Sequence, residues 1–528
     1  MISLRTAFVA GLLGCVSIAP WAMAATPKNT LVMAKHIDDI ISLDPAEAYE
    51  LSGIEVLTNV YDRLFRIEPE DLTKLVGGVV GAWTISPDST VFTLTLRSGQ
   101  TFHDGSPVTA EDAAFSLQRV VILDKNAGFL LSQLGYTKDN VAGLIKATGP
   151  DTLTVTVPGK FAPSLVMNLL ASTAGAVVEK KAALAHEQNG DLGNAWLKAH
   201  DAGSGPFRLV SWKPNESVTL EADPHARTPS TIKRVVIRNV PETATQLLLL
   251  KKGDVDVARD LQSDQIASLA GNQDVRVEQD PTANSWYMAL NQKDPILAKP
   301  QVRQAIKLLI DYDGMAATLL KGRVKVHQTF LPDGFFAALD YNPWKLDIPR
   351  AKALLAEAGY PNGFDIQLDT SNTSPFTEIA QSVQQTLGQG GIRVKIISEE
   401  QKQMLTVFRA RKHQMALLEW GPDYMDPHTN ADAFAANPDN SDASTHRLLA
   451  WRNAWEIPAL TKQTEAAAQE SDTAKRAAMY AAIQKTVTDD GPFALMFQPS
   501  YQTGLRSNVK GLVIGITSDV TFYRNVTK

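Results

Sequence analysis

The sequence predicts an α/β protein of several folding units, and three observations carry that prediction. Segments of alternating hydrophobicity recur between longer segments of helical periodicity, the pattern of sheets covered by helices. The length of 528 residues exceeds what one hydrophobic core spans, and at roughly 150 residues per domain it corresponds to about three units. Hydrophobic residues make up 44% and charged residues 20% of the chain, a composition that packs cores rather than staying disordered. No repeat with a period of about 20 to 50 residues is present, which speaks against solenoids and propellers.

The first 24 residues read as an export signal. Arg5 supplies the basic start, Ala7 to Val16 the apolar stretch, and Ala22-Met23-Ala24 the small-residue cleavage site, so the mature chain is expected to begin at Ala25. A competing reading takes Leu12-Leu13-Gly14-Cys15 as a lipidation box with Cys15 as the anchor. Cys15 is the only cysteine, so cleavage after Ala24 leaves no thiol for disulfides, thiolate metal sites or nucleophiles. Later segments lack the ~18 uninterrupted apolar residues of a membrane span. With Arg5 removed, 50 basic residues face 57 acidic ones, a net charge of −7. That balance offers no positive field for nucleic acid.

Along the mature chain, Thr30 to Ala34 reads as a strand leading through Ile41-Ser-Leu-Asp-Pro45 into a helical stretch ending near Leu64. Ser86 to Ser89 is a turn before a strand at Val91 to Leu96, where Phe92, Leu94 and Leu96 share one face. His103 to Ser106 is a second turn, and Thr109 is placed to cap a helix carrying Ala113, Phe115, Leu117 and Val120. Thr152 to Val157 alternates as a strand. In Gly203-Ser-Gly-Pro206 the glycines permit a sharp bend before an edge-like strand. Ile232 to Val240 is a strand and Glu242 to Lys251 a helix, with Gly253 suited to a left-handed residue before the return at Asp254 to Ala258. Further on, helices are expected at Val302 to Ile310, from Arg350 to a stop at Gly359-Tyr-Pro361, and at about Glu378 to Leu387. The last is flanked by strands at Phe364 to Leu368 and Arg393 to Ile397.

Several of these segments carry a resemblance. The block from Tyr61 to Val120, the Gly203 to Trp212 stretch, Gly253-Asp-Val-Asp-Val-Ala258, Trp286 to Asn291 and Arg350 to Gly363 resemble the family 5 extracytoplasmic solute-binding proteins of peptide and nickel ABC importers. The resemblance implies a type II periplasmic binding protein-like fold: two lobes joined by a hinge, with an extra subdomain in the first lobe. It divides the mature chain into lobe I (25–66), the extra subdomain (67–189), lobe I again (190–285), lobe II (286–494) and a return to lobe I (495–528). Hinge crossings are expected near Trp286 to Asn291 and near Phe493 to Tyr501. It also implies periplasmic localisation, a monomer, and partnership with the membrane subunits of an ABC permease. A di- or oligopeptide is the expected ligand; an opine, an oligosaccharide, haem or a nickel chelate are the alternatives.

Met415-Ala-Leu-Leu-Glu419-Trp420-Gly421-Pro422-Asp423-Tyr424-Met-Asp426-Pro427-His428 reads as a buried strand opening into a turn crowded with carboxylates and aromatics, a plausible cleft wall. In peptide-binding members of the family, the aspartate after this Trp receives the peptide α-ammonium, and the matching position is Asp423. Trp420 and Tyr424 would add apolar area and cation–π attraction. Asp423 and Asp426 are equally the kind of residue that only ties a turn together, and for Asp426 this structural reading is preferred. Glu419 either favours a basic ligand or faces solvent. Pro422 removes an N–H that relatives use toward a peptide backbone. No Arg or Lys is evident for a peptide carboxylate; Arg409, Arg411 and Lys412 precede the strand. Tyr49, Glu50 and Ser52 fall where the opposite wall would lie, or simply begin a helix, and Trp286 marks the crossing beneath it.

Enzyme signatures are missing. There is no Gly-x-Ser-x-Gly elbow, His-Glu-x-x-His or phosphate loop, and Gly77-Gly78-Val-Val-Gly81 lacks a nucleotide loop's spacing. Asp423, Asp426, His428 and Asp432 are irregularly spaced for a metal, and His103 reads as scaffold. A binder without cofactor is therefore expected, a secreted hydrolase being the remote alternative.

Overall fold

The computed structural model describes residues 26–69 and 71–528; the export segment and Cys15 lie outside the described residues. One strand organises the fold. Phe493–Arg506 runs for 14 residues, and each half of it belongs to a different lobe. Its first half pairs antiparallel with Ser285–Leu290, which pairs in turn with Met415–Trp420. Beyond these lie Asp365–Ser371 and Arg393–Glu399, parallel to each other. Its second half pairs with Val257–Ala258 and Val275–Pro281. From Val257–Ala258 the sheet continues through Thr30–Lys35, Arg234–Asn239 and Ser217–Ala222 to the edge strand Phe207–Lys213.

A separate four-stranded antiparallel sheet, Val80–Ile85, Val91–Leu96, Thr152–Thr156 and Ile145–Ala147, forms the extra subdomain. Its core closes because Phe92, Leu94 and Leu96 all point under the helix Ala110–Leu123, whose Ala113 and Leu117 are fully buried. Thr109 caps that helix in a reciprocal box with Asp112, as the spacing predicts. His103 is scaffold: its ring bridges Asp201 at 2.7 Å and the Gly205 carbonyl at 3.0 Å. Within the described residues no helix is long and apolar enough to cross a membrane.

The first long helix is shorter than the sequence pattern implies. It spans Leu51–Val60 and stops where the chain turns extended at Tyr61, and that end is held by the Gly203 to Pro206 segment. The Gly205 amide donates to the Val60 carbonyl at 2.9 Å. A Cβ on Gly205 would lie 2.6 Å from that carbonyl carbon, and one on Gly203 would lie 2.3 Å from its oxygen. Neither glycine has a positive φ. Close approach to the helix end, not a sharp bend, therefore requires them. Gly253 is different: it closes the helix Thr243–Lys252 at φ +79° with open space around it. Gly205→Ala is expected to cost about 1–3 kcal/mol by overpacking, and Gly253→Ala about 1–2 kcal/mol by left-handed strain alone. Urea unfolding of the two variants, together with a structure of each, separates the causes: only Gly205→Ala should displace the helix end.

Candidate functional site

The helix Leu51–Val60 and the strand Met415–Trp420 point their ends at one another across a cavity of about 370 Å³. That volume falls within the roughly 300–1,000 Å³ of small-molecule sites. On the lobe I side the wall includes Tyr49, Glu50, Leu51 and Ile54, and on the lobe II side Glu419, Gly421, Pro422 and Asp423.

The turn after Trp420 is anchored at both ends, which leaves its middle free to face the cavity. On one side Trp420 donates its indole N–H to Asn430 at 3.2 Å and sets its ring edge-on to Phe434. On the other, Asp426 caps the helix Pro427–Ala435 through the His428 amide and grips Arg476 bidentately at 2.7 and 2.9 Å. Both partners of that pair are almost wholly buried. Asp426 is thus structural, as its position before Pro427 implies. Arg411, the cation just before the strand, is engaged by Asn440 and Asp442.

Between the anchors, the Asp423 amide donates to Thr429 Oγ1 at 3.0 Å, and the Asp423 carboxylate accepts the phenol O–H of Tyr49 from the opposite lobe. Burial pushes the Asp423 carboxyl above the usual carboxylate range; the Tyr49 bond pulls it back, and the nearby Asp432 adds to the rise. The Tyr49 phenol is pushed up by burial and by the charge of Asp423. Among the described residues, the only partner of this enclosed carboxylate from the other lobe is neutral. Asp432 itself is taken up by His446 at 3.0 Å, and among the described residues no group of three or more His, Cys, Asp or Glu is placed to hold a metal ion.

Of the residues singled out from sequence, Tyr49, Glu50, Glu419, Gly421 and Asp423 line the cavity, and the other four stand elsewhere. Ser52 is buried in lobe I, where its amide donates to Asp39. Tyr424 is buried against the extra subdomain and donates to Gln133 at 3.0 Å, so it joins the lobes without reaching the cavity. Trp420 packs into the lobe II core behind the wall. Trp286 is 5% exposed and packs on Phe376, directly opposite Glu419 in the sheet register. Glu419 is open to the water of the cleft, yet enclosed enough for burial to push its carboxyl up; Asn284 is its hydrogen-bond donor.

The remaining wall was not legible from the sequence. Asn284, Tyr501, Ser172 and Thr173 line it, as does the segment 516–519. Tyr501 lies at an expected crossing of the chain between lobes, and burial pushes its phenol up to about 12. Segment 516–519 reaches the cleft through isolated bridges in the C-terminal tail rather than through a strand with a pattern of its own.

Comparison with known proteins agrees with this architecture. The chain is 29% identical over 517 residues to the probable D,D-dipeptide-binding periplasmic protein DdpA of Escherichia coli, covering 96% of this chain and 95% of that one. It is 28% identical to the glutathione-binding protein GsiB of Pectobacterium atrosepticum, over 67% of this chain and 66% of that one. Among solved structures, the periplasmic binding protein DppA of Helicobacter pylori in complex with the peptide STSA superposes with a TM-score of 0.77 at 24% identity, covering 94% of this chain and 98% of that one. Residues 74–442 match the model of the bacterial extracellular solute-binding proteins, family 5, and the chain belongs to that family.

Proposed function

We propose that the protein is the solute-capturing component of an ABC importer, that its ligand is a di- or oligopeptide, and that Asp423 receives the ligand's ammonium group. One observation carries the reading: an enclosed carboxylate, projected into a cavity between two lobes, has no cation paired with it among the described residues. An unpaired buried charge costs several kcal/mol, and a ligand ammonium removes that cost. The peptide ligands named for DdpA, GsiB and DppA support the same class.

The chain is exported to the periplasm, is cleaved after Ala24 and acts as a monomer. The lobes are those the resemblance implies, except that the return crossing falls at Pro499 to Tyr501 rather than at 495, since Leu495 and Phe497 still pair with Ser285–Leu290, and the lobes close by bending there and where Val275–Pro281 gives way to Ser285–Leu290. Only contacts that exist in the closed form favour closure, so the Asp423 to ammonium contact contributes both to affinity and to the form presented to the permease. Native mass spectrometry of the purified protein is expected to show a retained mass that leaves on unfolding and fragments as a peptide. Calorimetric titration with dipeptides after its removal should give one saturable site per chain. No binding of any peptide, or turnover of a bound one, would overturn the proposal.

A further inference from the structure

The charge of the cavity wall is one-sided. Among the described residues its lining includes four carboxylates, on Glu50, Glu419, Asp423 and Asp519, and no Lys, Arg or His. Two cations behind the wall are spoken for: Arg63 lies 3.6 Å from Asp519 and also donates to Thr58 and the Ala171 carbonyl, while Arg259, behind the Tyr501 ring, is paired with Glu55 at 2.9 Å. Arg63 thus compensates Asp519. Glu50 accepts the backbone N–H of Tyr49. Glu419 and Asp423 are likewise met by neutral donors, Asn284 and Tyr49 respectively, and none of the three has an ion-pair partner among the described residues.

The ground beneath Glu419 is also incomplete. Trp286 lies opposite it in the sheet, so both side chains share one face. The Trp286 indole N–H is near enough to influence the Glu419 carboxyl. It is buried, yet completes no hydrogen bond. Glu419 therefore sits between two neutral donors, one bonded and one unsatisfied, with its remaining lone pairs toward the cleft. A zwitterionic ligand would bring its carboxylate into a wall that offers it repulsion and no cation.

From this we infer that Glu419 is a specificity-determining residue that selects ligands bearing a second positive group besides the ammonium taken by Asp423. The inference rests on the reading of Asp423 proposed above. The ligand chemistry is a dication with amine or guanidinium groups, either a peptide with a basic side chain or a simple diamine.

Calorimetry on the ligand-free exported chain at pH 7 and low salt tests it with Ala-Ala amide, Ala-Lys amide, Ala-Glu and 1,5-diaminopentane. Ala-Lys amide is expected to bind at least about tenfold more tightly than Ala-Ala amide, and Glu419→Gln to reduce that ratio to below about threefold. Equal affinities in the parent protein, or a ratio unchanged in Glu419→Gln, would overturn the inference while leaving the peptide reading intact. Glu419-dependent binding of the diamine without any peptide binding would keep the dication and sink the peptide. Asp423→Asn is the separate control: if it weakens none of the ligands, the reading of Asp423 fails, and this inference with it.

Discussion

Asp423→Ala is expected to weaken binding of the cognate ligand by about 2–5 kcal/mol, or about 30- to 5,000-fold in Kd. The size follows from enclosure. At an exposed site an ion pair is worth at most about 1 kcal/mol, but burial and the nearby Asp432 make the lone charge of Asp423 costly until a cation arrives, and the Tyr49 phenol offsets only part of that cost. For the same reason the ligand-free variant should lose little or no stability. A carboxyl whose folded pKa is raised weighs against the folded state once the pH is above its ordinary range, and deleting it removes that penalty. Loss of affinity without loss of stability is thus the signature of a recognition residue. A residue that merely ties the turn would lose both. Ligand affinity should also fall as the pH is lowered through the raised pKa of Asp423, with uptake of the ligand releasing a proton. Equal affinity of Asp423→Ala for the cognate ligand by calorimetry would sink the assignment.

How far this site was legible in the sequence depends on where each side chain takes its direction. Val91–Leu96 is defined by alternation and Met415–Trp420 by a continuous apolar run, and both fold with the expected bounds. Asp423 is singled out by the resemblance, as the aspartate after Trp420; its place in the turn after the strand allows a purely structural role as well. The packing of Trp420 and Tyr424 does not follow from the segment, because alternation says which face a residue occupies but not which of two apolar cores lies there. Each belongs to a core, one in lobe II and one in the extra subdomain. Segment 516–519 could not be read at all. It is brought to the cleft by long-range contacts, such as the Asn59 amide to the Thr521 carbonyl at 3.0 Å, between residues 462 apart in the chain. No local periodicity encodes a pairing of that span. Glycines divide similarly: Gly253 is set by its own helix end, whereas Gly205 is required by a carbonyl about 145 residues earlier.

The same helix that brings Tyr49 to the cleft is fixed from below by a charge cluster with no sequence signature, and its disruption should be the largest stability effect in lobe I. Glu55, buried within the helix, accepts Lys35 Nζ at 2.5 Å, Arg259 Nη1 at 2.9 Å and the Tyr523 hydroxyl at 2.6 Å. These partners come from the first strand, the segment after Val257–Ala258 and the C-terminal tail, so one carboxylate ties three distant stretches together. Burial alone would raise its pKa; the charges of Arg259 and Lys35 outweigh that and bring it from 4.5 to about 2. A depressed folded pKa contributes stability that is present above the unfolded value and lost as pH falls toward the folded one. The window is therefore about pH 5 to 2, and the contribution about 3 kcal/mol. Glu55→Ala leaves Arg259 buried and uncompensated, and should cost about 3–5 kcal/mol at pH 7. Glu55→Gln should flatten the part of the acid unfolding curve that this carboxylate supplies. Urea unfolding at pH 7 and pH 3 measures both effects. An acid limb as steep in Glu55→Gln as in the parent protein would mean that other carboxylates carry it. Because Glu55 lies about one turn into the helix that begins two residues after Tyr49, a destabilised Glu55 variant should also bind ligand more weakly, in proportion to how often that helix start is out of place. Asp423→Ala should weaken binding while the helix stays where it is.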